Sequence, residues 1–464
     1  MDLPVIETPV APRWVWMEEV TYSHIPIATL ITAFLVLAPI FEYVGYRKKD
    51  LRYDRLAKSM VFFVMILYSP GAALGTGIPM FIIGLWPEFW SRWSNLFFWP
   101  LMVQFMFFLM DVFFLFFFYY LMWDRLQNRK RLHIFFGVMT AIFGLLIQAV
   151  WDGLGAYMTT PSAALPAVNE PVGWSAQAFF NPSYPYLFFH RFFANISYTM
   201  LLTGGIFALK HWRQKDEKEK AYFGFVADLT FTIGFLTFFF MPFIGWGFAK
   251  IMQQHAPVAF HAVMGGHAST YFIVKMCLIA FFLLLGGAYL FARHKRRFLL
   301  GCITAGMAGT YLILHWHPAI HWLPGGALVW RVFYTVLIVA FVVFLWSLRG
   351  RVSVSAERWK WALFSSGLAA VFVFALGGFV RERSRQPYNV YDQLVKVEAT
   401  ALETDRWLTY KKCVGCHHQS PNDLARSESK DWERIVREER KRPGVEISDQ
   451  EAERIVRFLK ENYR

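Results

Sequence analysis

The chain has 464 residues, 56% of them hydrophobic and 19% aromatic, a composition that excludes an ordinary soluble globular protein. Its net charge of +14 would suit a nucleic-acid binder, but the lysines and arginines cluster between apolar runs, so the excess reports membrane orientation and no nucleic-acid partner is expected. Two of the 4 cysteines, Cys277 and Cys302, fall within apolar runs and read as small buried hydrophobes, so no disulfide framework is implied.

Residues 1–23 carry Asp2, Glu7, Glu18 and Glu19 against Arg13 and lack the basic-then-apolar order of a cleaved signal, so this end is expected to be retained and outside. A bilayer-spanning helix takes about 20 apolar residues, and about ten such runs follow. They lie near 26–46, 59–83, 96–121, 133–155, 186–209, 222–245, 270–292, 298–315, 327–348 and 359–380. Basic stretches at 47–49, 125–131, 210–220, 293–297 and 349–358 follow the odd spans, which makes those loops cytoplasmic. The intervening loops, including 161–185 and 253–267, are nearly free of lysine and arginine and face outward. The expectation is a multi-pass inner-membrane protein in contact with lipid, both termini outside.

Within the second run, Gly71, Gly75 and Gly77 stand with Pro70 and Pro79. Small residues at this spacing allow close helix contact, with direct contact to a cofactor as the alternative. Tryptophans such as Trp86, Trp90, Trp93, Trp316 and Trp322 bunch near interfaces, where amphipathic rings settle.

After the last run, 381–392 is a charged connector and 393–464 has soluble composition, which divides the chain into a membrane domain, 1–392, and a C-terminal domain, 393–464. Ser448-Asp449-Gln450-Glu451 is a capping box ahead of Ala452, Ile455, Val456 and Leu459 at helical spacing. Helices are also expected near 432–437 and before Cys413. In Cys413-Val414-Gly415-Cys416-His417 two thiols three residues apart precede a histidine. That spacing suits covalent haem c, with the thiols adding to the vinyl groups and His417 as proximal iron ligand. A zinc half-site would need further ligands, and only His418 follows. Haem c is attached outside the cytoplasm, in agreement with the charge pattern. No methionine follows Met307, so the domain has no thioether of its own for a sixth ligand. The fold class is therefore all-α, a polytopic bundle carrying a small extracytoplasmic cytochrome c domain.

Ionisable residues in or beside membrane helices are functional candidates because burying them unpaired is costly. His24, His190 and Glu382 stand at outer ends of runs and are able either to ligate haem iron or to make interfacial hydrogen bonds. The segment 246–267 offers Lys250, Gln253, His255, His261 and His267 as hydrogen-bond donors and acceptors. His315, His317 and His321, beside Pro318, read as interfacial residues, with a metal or haem site as the alternative.

From about Tyr22 to Pro387 the chain resembles subunit I of the cytochrome bd quinol oxidases. The similarity is carried by Gly75-Thr76-Gly77, Trp123-Asp124-Arg125-Leu126, Phe189-His190, Phe379-Val380-Arg381-Glu382 and Arg385-Gln386-Pro387. The resemblance implies that His24 ligates the oxygen-binding high-spin haem, His190 a low-spin haem b, and that Glu382 lies near the second high-spin haem. It also implies a quinone or quinol headgroup near 246–267, beside Lys250 and with His255 as proton acceptor, although this segment is shorter than the family's quinol-oxidising loop. The chain departs from the pattern elsewhere as well. Where the family's low-spin haem takes a methionine, Trp330-Arg331-Val332-Phe333 has phenylalanine, which leaves Met276, after Lys275, as a candidate ligand. Where the family carries two glutamates tied to proton delivery, this chain has Gln104 and, near the second, Asp111. The missing glutamates and the added haem c motif predict quinol:cytochrome c type electron transfer through haem b, with other redox subunits or periplasmic cytochromes as partners, and poor oxygen reduction. The alternatives are a bd-like terminal oxidase and a non-catalytic cytochrome anchor.

Overall fold

A computed structural model describes residues 5–6, 8, 10–163, 165–167, 170–238, 240–264, 268–294, 356–385, 405, 408–409, 412, 431–441, 445 and 447–462. Among the described residues all regular structure is helical, without strands. In chain order the helices are α1 Arg13–Lys48, α2 Leu51–Leu85, α3 Pro87–Leu96, α4 Phe98–Val112, α5 Lys130–Tyr157, α6 Ala176–Phe179, α7 Tyr184–Arg213 and α8 Glu217–Phe238. There follow α9 Phe240–His255, α10 Pro257–Met264, α11 Ser269–His294, α12 Ala356–Arg385, α13 Trp432–Glu439 and α14 Asp449–Asn462. Among the described residues 7 helical segments are long and apolar enough to cross a membrane, and they coincide with the first six expected runs and the last. Helix α11 coincides with the run at 270–292. The runs at 298–315 and 327–348 lie outside the described residues.

The chain divides into two compact units, one formed by Met1–Gly245 with Ser355–Val371 and the other by Trp246–Val354 with Phe372–Arg464. In the first unit α1 and α2 form a hairpin. Lys49 closes α1 in the left-handed region at φ 54°, its N–H donating to Gly45 O. Asp50 then caps α2 by accepting from the Arg52 N–H at 3.0 Å. Leu35, Ala38, Leu56, Val64, Leu115, Met200 and Val226 bury the interior side of this bundle. At the crossing of α7 and α12 two glycines face each other, and a Cβ on Gly205 would stand 3.3 Å from Gly367 Cα. Absent side chains there let backbones approach, the usual source of cohesion between apolar helices in lipid.

Helix α4 runs directly into a π-helical turn, Phe113–Tyr120, with Leu121 N–H donating to Phe116 O. The outer side of this segment exposes Phe105, Met106, Leu109, Phe113 and Phe117, as a lipid-facing helix requires. At the C-terminal end of α1, Glu42 is fully buried and bonded to His133 Nδ1 at 2.6 Å and to Lys130 Nζ at 2.9 Å. Asp54 also pairs with Lys130. His133 Nε2 donates to Tyr119 O at 2.8 Å, which locks α5 to the π turn. A carboxylate this deep is tolerated because each charge meets an opposite one; removing one partner of such a set typically costs about 3–5 kcal/mol.

The second unit holds the end of α9, then α10, α11 and the C-terminal part of α12. The run expected to end at 245 continues as helix to His255, because nothing in 246–255 interrupts it before Pro257. Tyr271 of α11 packs edge-on against Phe379 of α12, ring centroids 4.7 Å apart. Near the C-terminus α13 and α14 bury Leu408, Trp432, Val436, Ile455 and Leu459 together. The capping box is made in full, with Glu451 N–H donating to Ser448 Oγ at 3.2 Å and Ser448 N–H to Glu451 at 2.8 Å.

Asp405 accepts from Arg454 Nε at 2.6 Å and from Arg457. Burial tends to raise its carboxyl pKa, but Arg457 and Arg454 outweigh this and hold it below the ordinary value. A depressed folded-state pKa stabilises above the unfolded value of about 4 and ceases to do so as pH falls through the folded one. Asp405→Asn should therefore destabilise α14 by up to about 1 kcal/mol at neutral pH, since the pair is partly exposed, and by less near pH 3. Hydrogen exchange of 449–462 in the full chain checks this; an equal difference at both pH values would refute it.

Candidate functional site

In the half of the first unit that holds the start of α1, helices α1, α2, α5 and α7 come together. The α2 glycines serve the close-contact role: a Cβ on Gly71 would come within 3.0 Å of Ile27 and Ile31, and one on Gly77 within 3.2 Å of Val20. Between them, a Cβ on Gly75 would lie 2.9 Å from His24 Cε1, so the imidazole occupies space that any other residue would fill. His24 Nδ1 lies 3.1 Å from Gly71 O. A carbonyl only accepts, so Nδ1 carries the hydrogen and Nε2 keeps its lone pair. That is the tautomer a haem-ligating histidine needs, with its other nitrogen anchored by the backbone. The donor chemistry at His24 therefore fits haem iron.

Three residues before Gly71 on the same helix, about one turn, Tyr68 donates its hydroxyl to Asp111 Oδ2 at 2.7 Å. Asp111 is 2% exposed and its Oδ1 meets no partner among the described residues. Tyr68 is wedged between Phe108 and Phe116 of the segment that carries Asp111. Gln104 is half-buried nearer the start of α4.

His190 lies two turns into α7, half-buried. The next residue, Arg191, bonds Asp152 Oδ1 of α5 at 2.6 Å, and Gln148 donates to Asp152 Oδ2 at 3.1 Å. Asn195, one turn deeper on α7, donates to Gln148 at 2.9 Å. This chain of polar groups, like the pair Glu42 and His133, is not among the outer-end candidates that the sequence singles out. The available signal was an ionisable residue inside a run: Asp152 in 133–155, Arg191 in 186–209 and Glu42 in 26–46.

In the second unit Lys250 is exposed on α9 with its ammonium 5.6 Å from the Trp246 ring centroid, and His255, also exposed, ends the helix. Met276 is half-buried on α11, and its neighbour Lys275 is received at Gly377, where a Cβ would stand 3.3 Å from Nζ. Glu382 belongs to α12, while its side chain lies outside the described residues, as do His267, His315, His317, His321, Cys413, Cys416 and His417. Among the described residues no group of three or more His, Cys, Asp or Glu is arranged to hold a metal ion.

No curated protein matches the chain. Among solved structures, a chain from "The structure of bd oxidase from Geobacillus thermodenitrificans" is similar, with TM-score 0.55 and 19% identity, covering 73% of this chain and 97% of that one. At that identity the likeness is one of fold. The family model for cytochrome bd terminal oxidase subunit I matches residues 13–410, which contain His24, Asp111, His190 and Glu382 and end before Cys413. By that match, the chain belongs to the cytochrome bd terminal oxidase subunit I family.

Proposed function

We propose that the protein is the haem-bearing subunit of a bd-like terminal oxidase, which passes electrons from quinol to dioxygen. The family match favours this reading over quinol:cytochrome c transfer, the expectation raised by the lost glutamates. The observation that carries it is Asp111: a buried carboxyl, held by Tyr68 about one helical turn from the glycines that seat His24. Asparagine or glutamine cannot hold and release a proton at that depth, whereas aspartate can. Haem at the His24 and His190 positions supplies one-electron carriers and an oxygen-binding iron. His24 presents Nε2 while Gly71 fixes its ring, and Tyr68 orients the Asp111 carboxyl. On this reading Glu382 and Met276 are further candidate haem ligands. Lys250 and His255, on the exposed side of α9, hydrogen-bond the quinol headgroup and take its proton.

Cys413, Cys416 and His417 support a covalent haem c in a C-terminal domain, 393–464, on the outer side, where it exchanges electrons with the membrane haems or a soluble redox partner. The test supplies quinol to the complete purified complex and compares oxygen uptake with reduction of an added cytochrome. Oxygen uptake should dominate, and His255→Ala should raise the KM for quinol several-fold. Rapid cytochrome reduction with negligible oxygen uptake would return the protein to the quinol:cytochrome c class.

A further inference from the structure

Arg191 is a permanent cation inside an apolar helix, and the described structure neutralises it with one bond. Asp152 is fully buried, while the Arg191 side chain remains 34% exposed. The carboxylate is further fixed by Gln148, itself held by Asn195, so the pair is built rather than incidental. One nitrogen of the guanidinium is committed to Asp152, and among the described residues no other partner bonds it. Its remaining donors are in a fork suited to a second carboxylate. They sit next to His190 in sequence and within electrostatic reach of His24. A cation that is only half neutralised at this depth needs another anion more than it needs solvent.

We propose that Arg191, positioned by Asp152, binds a propionate carboxylate of the haem held in this half of the bundle. The proposal rests on the haem reading given above. Asp152 sets the direction of the fork through Nη1, Gln148 and Asn195 keep Asp152 from turning, and the free donors hold the propionate. A positive charge beside haem disfavours the ferric state, so the pair also tunes the midpoint potential.

Redox titration of the purified complex, followed at the b-type bands, tests this. Arg191→Gln should lower the midpoint potential of one b-type haem, Asp152→Asn should raise it, and Arg191→Lys, which keeps the charge without the fork, should fall between wild type and Arg191→Gln. In protein made with haem labelled with 13C at its propionate carboxyls, Arg191→Gln should also displace a label-sensitive band in the redox-difference infrared spectrum. A moved potential with an unmoved propionate band would assign Arg191 to a different anion, such as a lipid phosphate, and overturn the proposal. Unchanged potentials, or shifts of the same sign in Arg191→Gln and Asp152→Asn, would reduce the pair to a helix tie. Wild-type protein free of b-type haem would remove the haem reading itself, an outcome separate from either of these.

Discussion

Asp111→Asn is expected to lower quinol-dependent oxygen uptake by about a hundredfold or more, the usual contribution of a positioned acid or base, while haem content stays at the wild-type level. The substitution keeps size and shape, and the amide oxygen still accepts the Tyr68 hydroxyl that now reaches Oδ2 at 2.7 Å. What it removes is the ability to carry a proton in a place 2% exposed, where four-electron oxygen reduction must be fed protons as charge arrives. Tyr68→Phe should do less, since it deletes an orienting bond and keeps the carboxyl. Oxygen electrode rates with both variants, beside reduced-minus-oxidised spectra, decide the matter. Oxygen uptake at the wild-type rate in Asp111→Asn would show that protons reach the site by another path.

His24→Ala should remove one high-spin haem signal and abolish oxygen uptake, while leaving the low-spin b-type and c-type bands. The imidazole leans on α2 at the place where a Cβ on Gly75 would stand 2.9 Å from Cε1, so Gly75→Val should produce the same spectral loss by displacing the ring. The two variants are informative together. If His24 only ties α1 to Gly71, His24→Ala will lower stability and leave the spectrum unchanged. If it ligates iron, the spectrum changes in both, and added imidazole restores it in His24→Ala, where a hole remains, and not in Gly75→Val, where the hole is filled.

Much of the architecture was legible in the linear chain because a membrane imposes one-dimensional rules. Apolar length announces a span, so seven helical segments lie on expected runs and α11 on another. The capping box at Ser448 and Glu451 was equally legible, since its partners are three residues apart and need nothing distant. His24 could be singled out as an outer-end imidazole, and its haem role rested on resemblance.

The tertiary structure decided the rest, because the deciding contacts join residues far apart in the chain. Which of several glycines would seat His24 depends on how α1 crosses α2, and periodicity within one helix does not encode a crossing. Asp111 could be read only as a carboxylate near an expected position; its burial and its bond to Tyr68 arise when α4 packs on α2. The pairs Asp152 with Arg191 and Glu42 with His133 are also tertiary facts. Each partner alone is an ionisable residue that hydropathy would penalise, and only folding brings close the partner group that offsets its desolvation.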